Sequence, residues 1–97
     1  AEAQYRAVLK ENERSHVAWN NLGLVLMRSN RVSEAVKALE RAVALNPRSA
    51  VYHNNLGAAY ERAGQIAKAR TMYQEALKLD PKLEDAQKNL QRLANRR

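Results

Sequence analysis

The chain of 97 residues predicts an all-α fold, a helical-repeat solenoid of antiparallel helix pairs. Three observations carry this. The chain matches itself at an offset of 34 residues; within each unit the apolar residues recur at helical spacing in two runs; and the breaks between runs hold residues that end helices. Hydrophobic residues make up 45% of the chain, while Gly and Pro take only 3 + 2 = 5 positions, a composition suited to helices.

At the offset of 34, ten positions are identical: Val17/Val51, Asn20/Asn54, Asn21/Asn55, Leu22/Leu56, Gly23/Gly57, Arg28/Arg62, Ala35/Ala69, Ala42/Ala76, Leu45/Leu79 and Pro47/Pro81. The ends fit the same frame. Residues 1–15 match the second half of a repeat, 16–49 and 50–83 are full repeats, and 84–97 match the first half of another.

The elements follow in order. The leading half-repeat predicts a helix over about 1–12, with Tyr5, Val8 and Leu9 as its apolar face. Ser15 then stands where an N-cap belongs, and Trp19, Leu22 and Leu26 mark a helix over about 16–29. Asn30 closes it, a residue that tolerates the left-handed conformation of a helix end. Val36, Leu39 and Val43 mark the next helix, about 33–45, which stops at Asn46-Pro47 because proline disfavours helix in the residue before it. The second repeat reads likewise: Ser49 as N-cap, helices at about 50–63 and 67–79, Gly64 in the place of Asn30, and Asp80-Pro81 in the place of Asn46-Pro47. A last helix is expected over about 84–94, with Leu90 and Leu93 inward and Lys88, Arg92, Arg96 and Arg97 outward. Gly23 and Gly57, with Ala35, Ala69, Ala42 and Ala76, leave room for close helix pairs, and Tyr60 and Tyr73 fill the spaces between.

The pattern Trp19-x-x-Leu22-Gly23, Ala35, Leu39, Ala42, Pro47, and its second copy Leu56-Gly57, Tyr60, Ala69, Tyr73, Ala76, Pro81, resembles the tetratricopeptide repeat. The resemblance covers the whole chain. It departs at His53, in place of a large aromatic residue and so a sign of looser packing, at Glu13 in place of the proline, and at Gln91 in place of the glycine. It implies a right-handed superhelix whose first helices line a concave groove while the second helices lie outside.

Composition excludes several functions. With no Cys there is no disulfide framework, thiolate metal site or thiol nucleophile, and the redox compartment is unreadable. His16 and His53 have no second ligand at metal spacing, and no nucleophile–base set, phosphate loop or carboxylate pair stands out, so neither enzyme nor cofactor is expected. No window approaches the roughly 18 apolar residues of a membrane span. A soluble chain is expected, with cytoplasm favoured over an export compartment. The net charge of +7 favours acidic partners, yet it is spread as 0, +3, +2 and +2 over the four segments.

The strongest site candidate is a ladder, Asn21, Asn55 and Asn89, at 34-residue steps in successive first helices. A carboxamide both donates and accepts, so stepped amides can hold a peptide backbone without reading side chains. In this the ladder resembles that of the repeat domain of O-linked N-acetylglucosamine transferase. The competing reading makes them structural amides between helices. Arg28, Arg62 and Arg96 form a second ladder, joined by Asn20, Asn54, Lys88 and Arg92, which would favour acidic or carboxylate-bearing peptides; the competing reading is a solvated face with Glu61 neutralising Arg62. Leu24, with Val17 and Val51, would add an apolar stripe, unless it packs against the neighbouring helix. The clamp of the family's chaperone-tail binders maps onto Asn20, Leu24, Asn55, Asp85 and Asn89, and only Asn55 has the matching residue.

The leading expectation is therefore a protein-interaction module that binds an extended peptide or partner helix, acidic in preference. The alternative is a structural segment that assembles into homo-oligomers through its end helices, since Tyr5, Val8 and Leu9 lack the first helix of their own repeat. Nucleic-acid binding is disfavoured because the aromatic residues stand mostly at core positions, leaving no stacking platform. No membrane partner is expected.

Overall fold

Helix start and stop signals in the sequence set the boundaries of six helices among the described residues. A computed structural model describes residues 1–95 and contains α1 (Glu2–Glu11), α2 (His16–Arg28), α3 (Val32–Leu45), α4 (Ala50–Arg62), α5 (Ile66–Leu79) and α6 (Glu84–Ala94). Ser15 Oγ accepts from the Ala18 backbone N–H at 3.2 Å and Ser49 Oγ from that of Tyr52 at 3.1 Å, so both expected N-caps form. Asn30 and Gly64 adopt φ of 61° and 82°. These left-handed residues let the Arg31 and Gln65 N–H groups turn back to the carbonyls of Leu26 and Tyr60, both at 2.9 Å, which satisfies the helix ends. Asn46 and Asp80, each before a proline, leave the helical region at φ −138° and −144°.

Consecutive helices pack as antiparallel pairs, and the chain forms an elongated slab of 42 × 26 × 17 Å. The two glycines explain how close the pairs lie. A Cβ on Gly23 would stand 2.5 Å from Leu39 Cγ, and one on Gly57 would stand 2.6 Å from Tyr73 Cε1. Ala35, Ala42, Ala69 and Ala76 are fully buried at the facing positions, and Tyr73 is fully buried beside them.

Beyond the pairs, α2, α4 and α6 touch in succession, while the backbones of α1, α3 and α5 stay more than 8 Å apart and α1 reaches α3 through the ion pair of Arg6 with Glu34 at 3.7 Å. The slab thus has one face of three neighbouring helices and one face of three separated helices. Its core follows the stack in two clusters, one around Leu9, Leu22, Leu26 and Ala38, the other around Leu39, Leu56, Tyr60, Tyr73 and Leu93. Among the described residues no helix is long and apolar enough to cross a membrane.

Two expectations change here. His53 does not loosen the stack: the ring is buried and its Nδ1 lies 2.9 Å from the Ser49 carbonyl, so a polar ring is held where a larger aromatic was expected. Nor is the apolar face of α1 bare. Leu9 is buried and Tyr5 half-buried against α2, which leaves Val8, 46% exposed, as the apolar remainder of the motive for self-association.

Candidate peptide-binding groove

Helical spacing puts Val17, Asn21, Leu24 and Arg28 on one stripe of α2, away from the core-facing Trp19, Leu22 and Leu26. On α4 the stripe continues as Val51, Asn55, Ala58 and Arg62, and on α6 as Asp85, Asn89 and Arg92. Val17, Leu24 and Val51 are 53%, 36% and 50% exposed, an apolar patch at the α2 end of an otherwise polar face.

The amides are bridged from helix to helix. Asn55 Nδ2 donates to Asn20 Oδ1 at 3.0 Å, and one repeat later Asn89 Nδ2 donates to Asn54 Oδ1 at 3.0 Å. Asn20 and Asn54 are 8% exposed, so they lie inside the stack as acceptor posts rather than on its surface. Asn55 and Asn89 are half-buried and reach back to those posts, which restrains their side chains.

The three rungs therefore differ. Asn21, half-buried, has neither end of its amide hydrogen-bonded among the described residues. Asn55 spends one donor and keeps its carbonyl oxygen. Asn89 spends a donor on Asn54 and accepts from Arg92 Nη1 at 2.8 Å.

The basic residues also divide. Arg62 points to the preceding repeat, donating from Nη1 to the Met27 carbonyl at 2.8 Å and from Nη2 to Asn30 Oδ1 at 3.0 Å, so it caps the C-terminus of α2. Arg92 donates to Glu61, which also accepts from the Tyr73 hydroxyl at 2.8 Å. Glu61 is therefore tied to Arg92, where the sequence had suggested Arg62. Burial and then the Glu61 carboxylate hold the Tyr73 phenol well above its ordinary range, so it stays a donor. The contact with Glu61 keeps the Arg92 guanidinium raised and charged. Arg28 and Lys88 are exposed, without an ion pair among the described residues. Arg96 and Arg97 lie outside the described residues. Between α4 and α6 this face holds a hollow of about 360 Å³ lined by Ala58, Glu61, Arg62, Tyr73, Asn89 and Arg92.

Sequence reasoning missed Glu61, Tyr73 and the Asn30 side chain as partners that position Arg92 and Arg62. The signal of Asn30 in the sequence is a backbone one, yet its side chain also anchors Arg62. Glu61 carries no repeat signal, because Met27 holds the same place one repeat earlier.

The fold and its bridged amides together define a helical-repeat module. Profiles of the tetratricopeptide repeat match residues 1–50 and 21–84, and the chain belongs to that family. Over 43 residues it is 44% identical to the peroxisomal targeting signal receptor of Candida glabrata and 42% identical to that of Kluyveromyces lactis. These matches cover 44% of this chain but only 7% and 8% of the receptors.

Among solved structures, an O-GlcNAc transferase mutant from Thermobaculum terrenum superposes with TM-score 0.91 at 33% identity over 95% of this chain and 18% of that one. The first TPR of Spaghetti (RPAP3) bound to the HSP90 peptide SRMEEVD gives 0.92 at 22% identity over 96% and 74%, a likeness of fold. MamA RS-1, an ArsTM double mutant, gives 0.88 at 28% over 95% and 52%.

Proposed function

We propose that the chain is a protein-interaction module, without catalysis of its own, that holds an extended peptide of acidic preference along α2, α4 and α6. The observation that carries this is the graded amide row. Inter-helix bonds orient Asn55 while leaving its carbonyl oxygen open, and Asn21 keeps a whole amide open beside it. An amide fixed before binding loses little rotamer freedom when a ligand arrives, so each modest contact counts for more. Membership of a repeat family of interaction modules supports the same reading.

The peptide would run past the apolar patch of Val17, Leu24 and Val51, place its backbone on Asn21 and Asn55, and bring carboxylates to Arg28 and Lys88. Arg62, Arg92, Asn20, Asn54 and Asn89 would serve chiefly as supports, since their polar groups are committed to neighbours. Chaperone-tail recognition is disfavoured, because Leu24 and Asp85 stand where that clamp needs an amide and a cation.

Peptides selected from a displayed random library, titrated against variants, test the reading. Asn21→Ala should weaken every selected peptide by roughly 0.5–1.5 kcal/mol, the worth of a neutral hydrogen bond, without moving the melting point. Arg28→Ala should weaken acidic peptides selectively and flatten their salt dependence. Selected peptides that bind Asn21→Ala, Arg28→Ala and Leu24→Asp as they bind the parent chain would remove the groove assignment.

A further inference from the structure

The face of separated helices carries a second feature, unrelated to the groove. Because the backbones of α1 and α3 stay apart, joined through the side chains of Arg6 and Glu34, a notch opens between them over α2. It measures about 310 Å³. Its floor is Trp19, Leu22, Leu26 and Ala38, and Arg6, Glu34, Lys37 and Arg41 stand at its rim.

The repeat itself supplies the comparison. One repeat later, Leu26 is replaced by Tyr60, Ala38 by Met72, and Arg6 of the rim by Glu40. There the cleft between α3 and α5 is occupied from within. The Tyr60 ring is buried, Lys68 of α5 stands 5.5 Å from its centroid, and its hydroxyl donates to Glu40 of α3 at 2.6 Å. In the first repeat the ring is missing, and the residue at the acceptor's place is a cation. The notch therefore stands where the next repeat holds an aromatic side chain, and a cation stands where that repeat holds its carboxylate.

The charges around it can be counted. Arg6 and Arg31 are tied to Glu2 and Glu34 in a network of contacts from 2.7 to 3.7 Å, two cations against two carboxylates. Lys37, which acts on Glu34 only through space, and Arg41 are left over and make the rim positive by two. Arg41 lies over the Trp19 ring, its guanidinium carbon 5.6 Å from the centroid. A cation lying on an indole is well placed to meet a carboxylate as an aromatic side chain enters beside it.

We propose that this outer notch is a second binding site, taking an aromatic side chain of an acidic partner segment. The ring fills the space that Tyr60 fills in the next repeat, and flanking carboxylates pair with Arg41 and Lys37. The site uses the face of α2 opposite to Asn21 and Leu24, so it can be occupied whether or not the groove is.

Trp19 is the only tryptophan, so its fluorescence reports the notch directly. The probe is the capped peptide Glu-Tyr-Glu-Glu, compared with Glu-Ala-Glu-Glu and Lys-Tyr-Lys-Lys. Saturable binding of the first is expected, with both others weaker by about tenfold or more, the ratio that 1.4 kcal/mol produces. Arg41→Gln should weaken the first by a similar factor.

Two fillings of the notch should abolish binding: Leu26→Tyr with Arg6→Glu, which copies the second repeat, and Ala38→Met alone in case the first disturbs folding. Circular dichroism verifies each fold. Leu24→Asp, on the groove, should bind the probe unchanged. The proposal is overturned by the lack of a saturable response, by binding that survives a folded, filled notch, by loss on Leu24→Asp, or by a response to oligouridylate with none to the peptide.

Discussion

Gly57 shows how a single atom sets the distance between two helices. The nearest side chain to its missing Cβ is not a flexible tip but the ring of Tyr73, which is fully buried and hydrogen-bonded through its hydroxyl to Glu61. The ring cannot swing away without breaking that bond, and the backbone cannot retreat without separating α4 from α5. Gly57→Ala should therefore cost roughly 1–3 kcal/mol, the usual cost of overpacking, despite alanine's better helix propensity. Gly23→Ala meets Leu39, a side chain equally buried but smaller and without a polar tie, and should cost less. Thermal unfolding of the two variants side by side checks the order; equal melting points would show that the Tyr73 hydroxyl bond adds no rigidity. Glycine's place in the repeat was legible in the sequence, but this difference was not, because it depends on what the facing tyrosine does with its far end.

Among the elements, α6 shows how apolar and polar contacts share the work of docking. Ala86 and Leu93 are buried against the second repeat and Leu90 packs beside them, while Arg92 and Asn89 fasten the polar side to Glu61 and Asn54. The polar anchor depends on a neutral Tyr73. Burial, and then the neighbouring carboxylate, raise both buried tyrosines above the ordinary 10.0, Tyr60 to about 12 and Tyr73 further. A phenol whose folded value is raised contributes stability that is whole below the unfolded value and is lost as pH rises through the folded one. Helical content followed against pH should thus hold up to 10.0 and fall beyond it, with Tyr60→Phe plus Tyr73→Phe showing a shallower decline. A decline of equal slope in both chains would place the alkaline weakness elsewhere. The helices were legible to within a residue or two at every boundary, because N-caps, prolines and left-handed residues are local signals. The tie of α6 to Glu61 was not, since it joins residues 31 apart in the chain and the first repeat has methionine at that place.

Across the whole molecule, stacked repeats contact only their neighbours, so stability depends on how strongly each repeat is coupled to the next. Arg28 and Arg62 occupy the same repeat position and looked in the sequence like two rungs of one ligand ladder. The structure gives them different surroundings. Arg62 joins the end of α4 to the end of α2 through the Met27 carbonyl and Asn30, whereas Arg28 has no such partner among the described residues. The same side chain should therefore act on stability at one position and on binding at the other. Arg62→Ala leaves an α2 carbonyl with less cover and removes a link between repeats. It should cost about 1 kcal/mol, low in the range for charge-assisted bonds because the group is exposed, and should speed amide hydrogen exchange at the C-terminal end of α2. Arg28→Ala should fall within about 0.5 kcal/mol of the parent chain, as a surface change without a bonded partner. Denaturant unfolding of both, with exchange measured along α2, decides the matter. If Arg28→Ala destabilises as much as Arg62→Ala, or if α2 exchanges no faster without Arg62, the coupling assigned to this arginine is absent and the repeats are joined by apolar packing and the asparagine bridges alone.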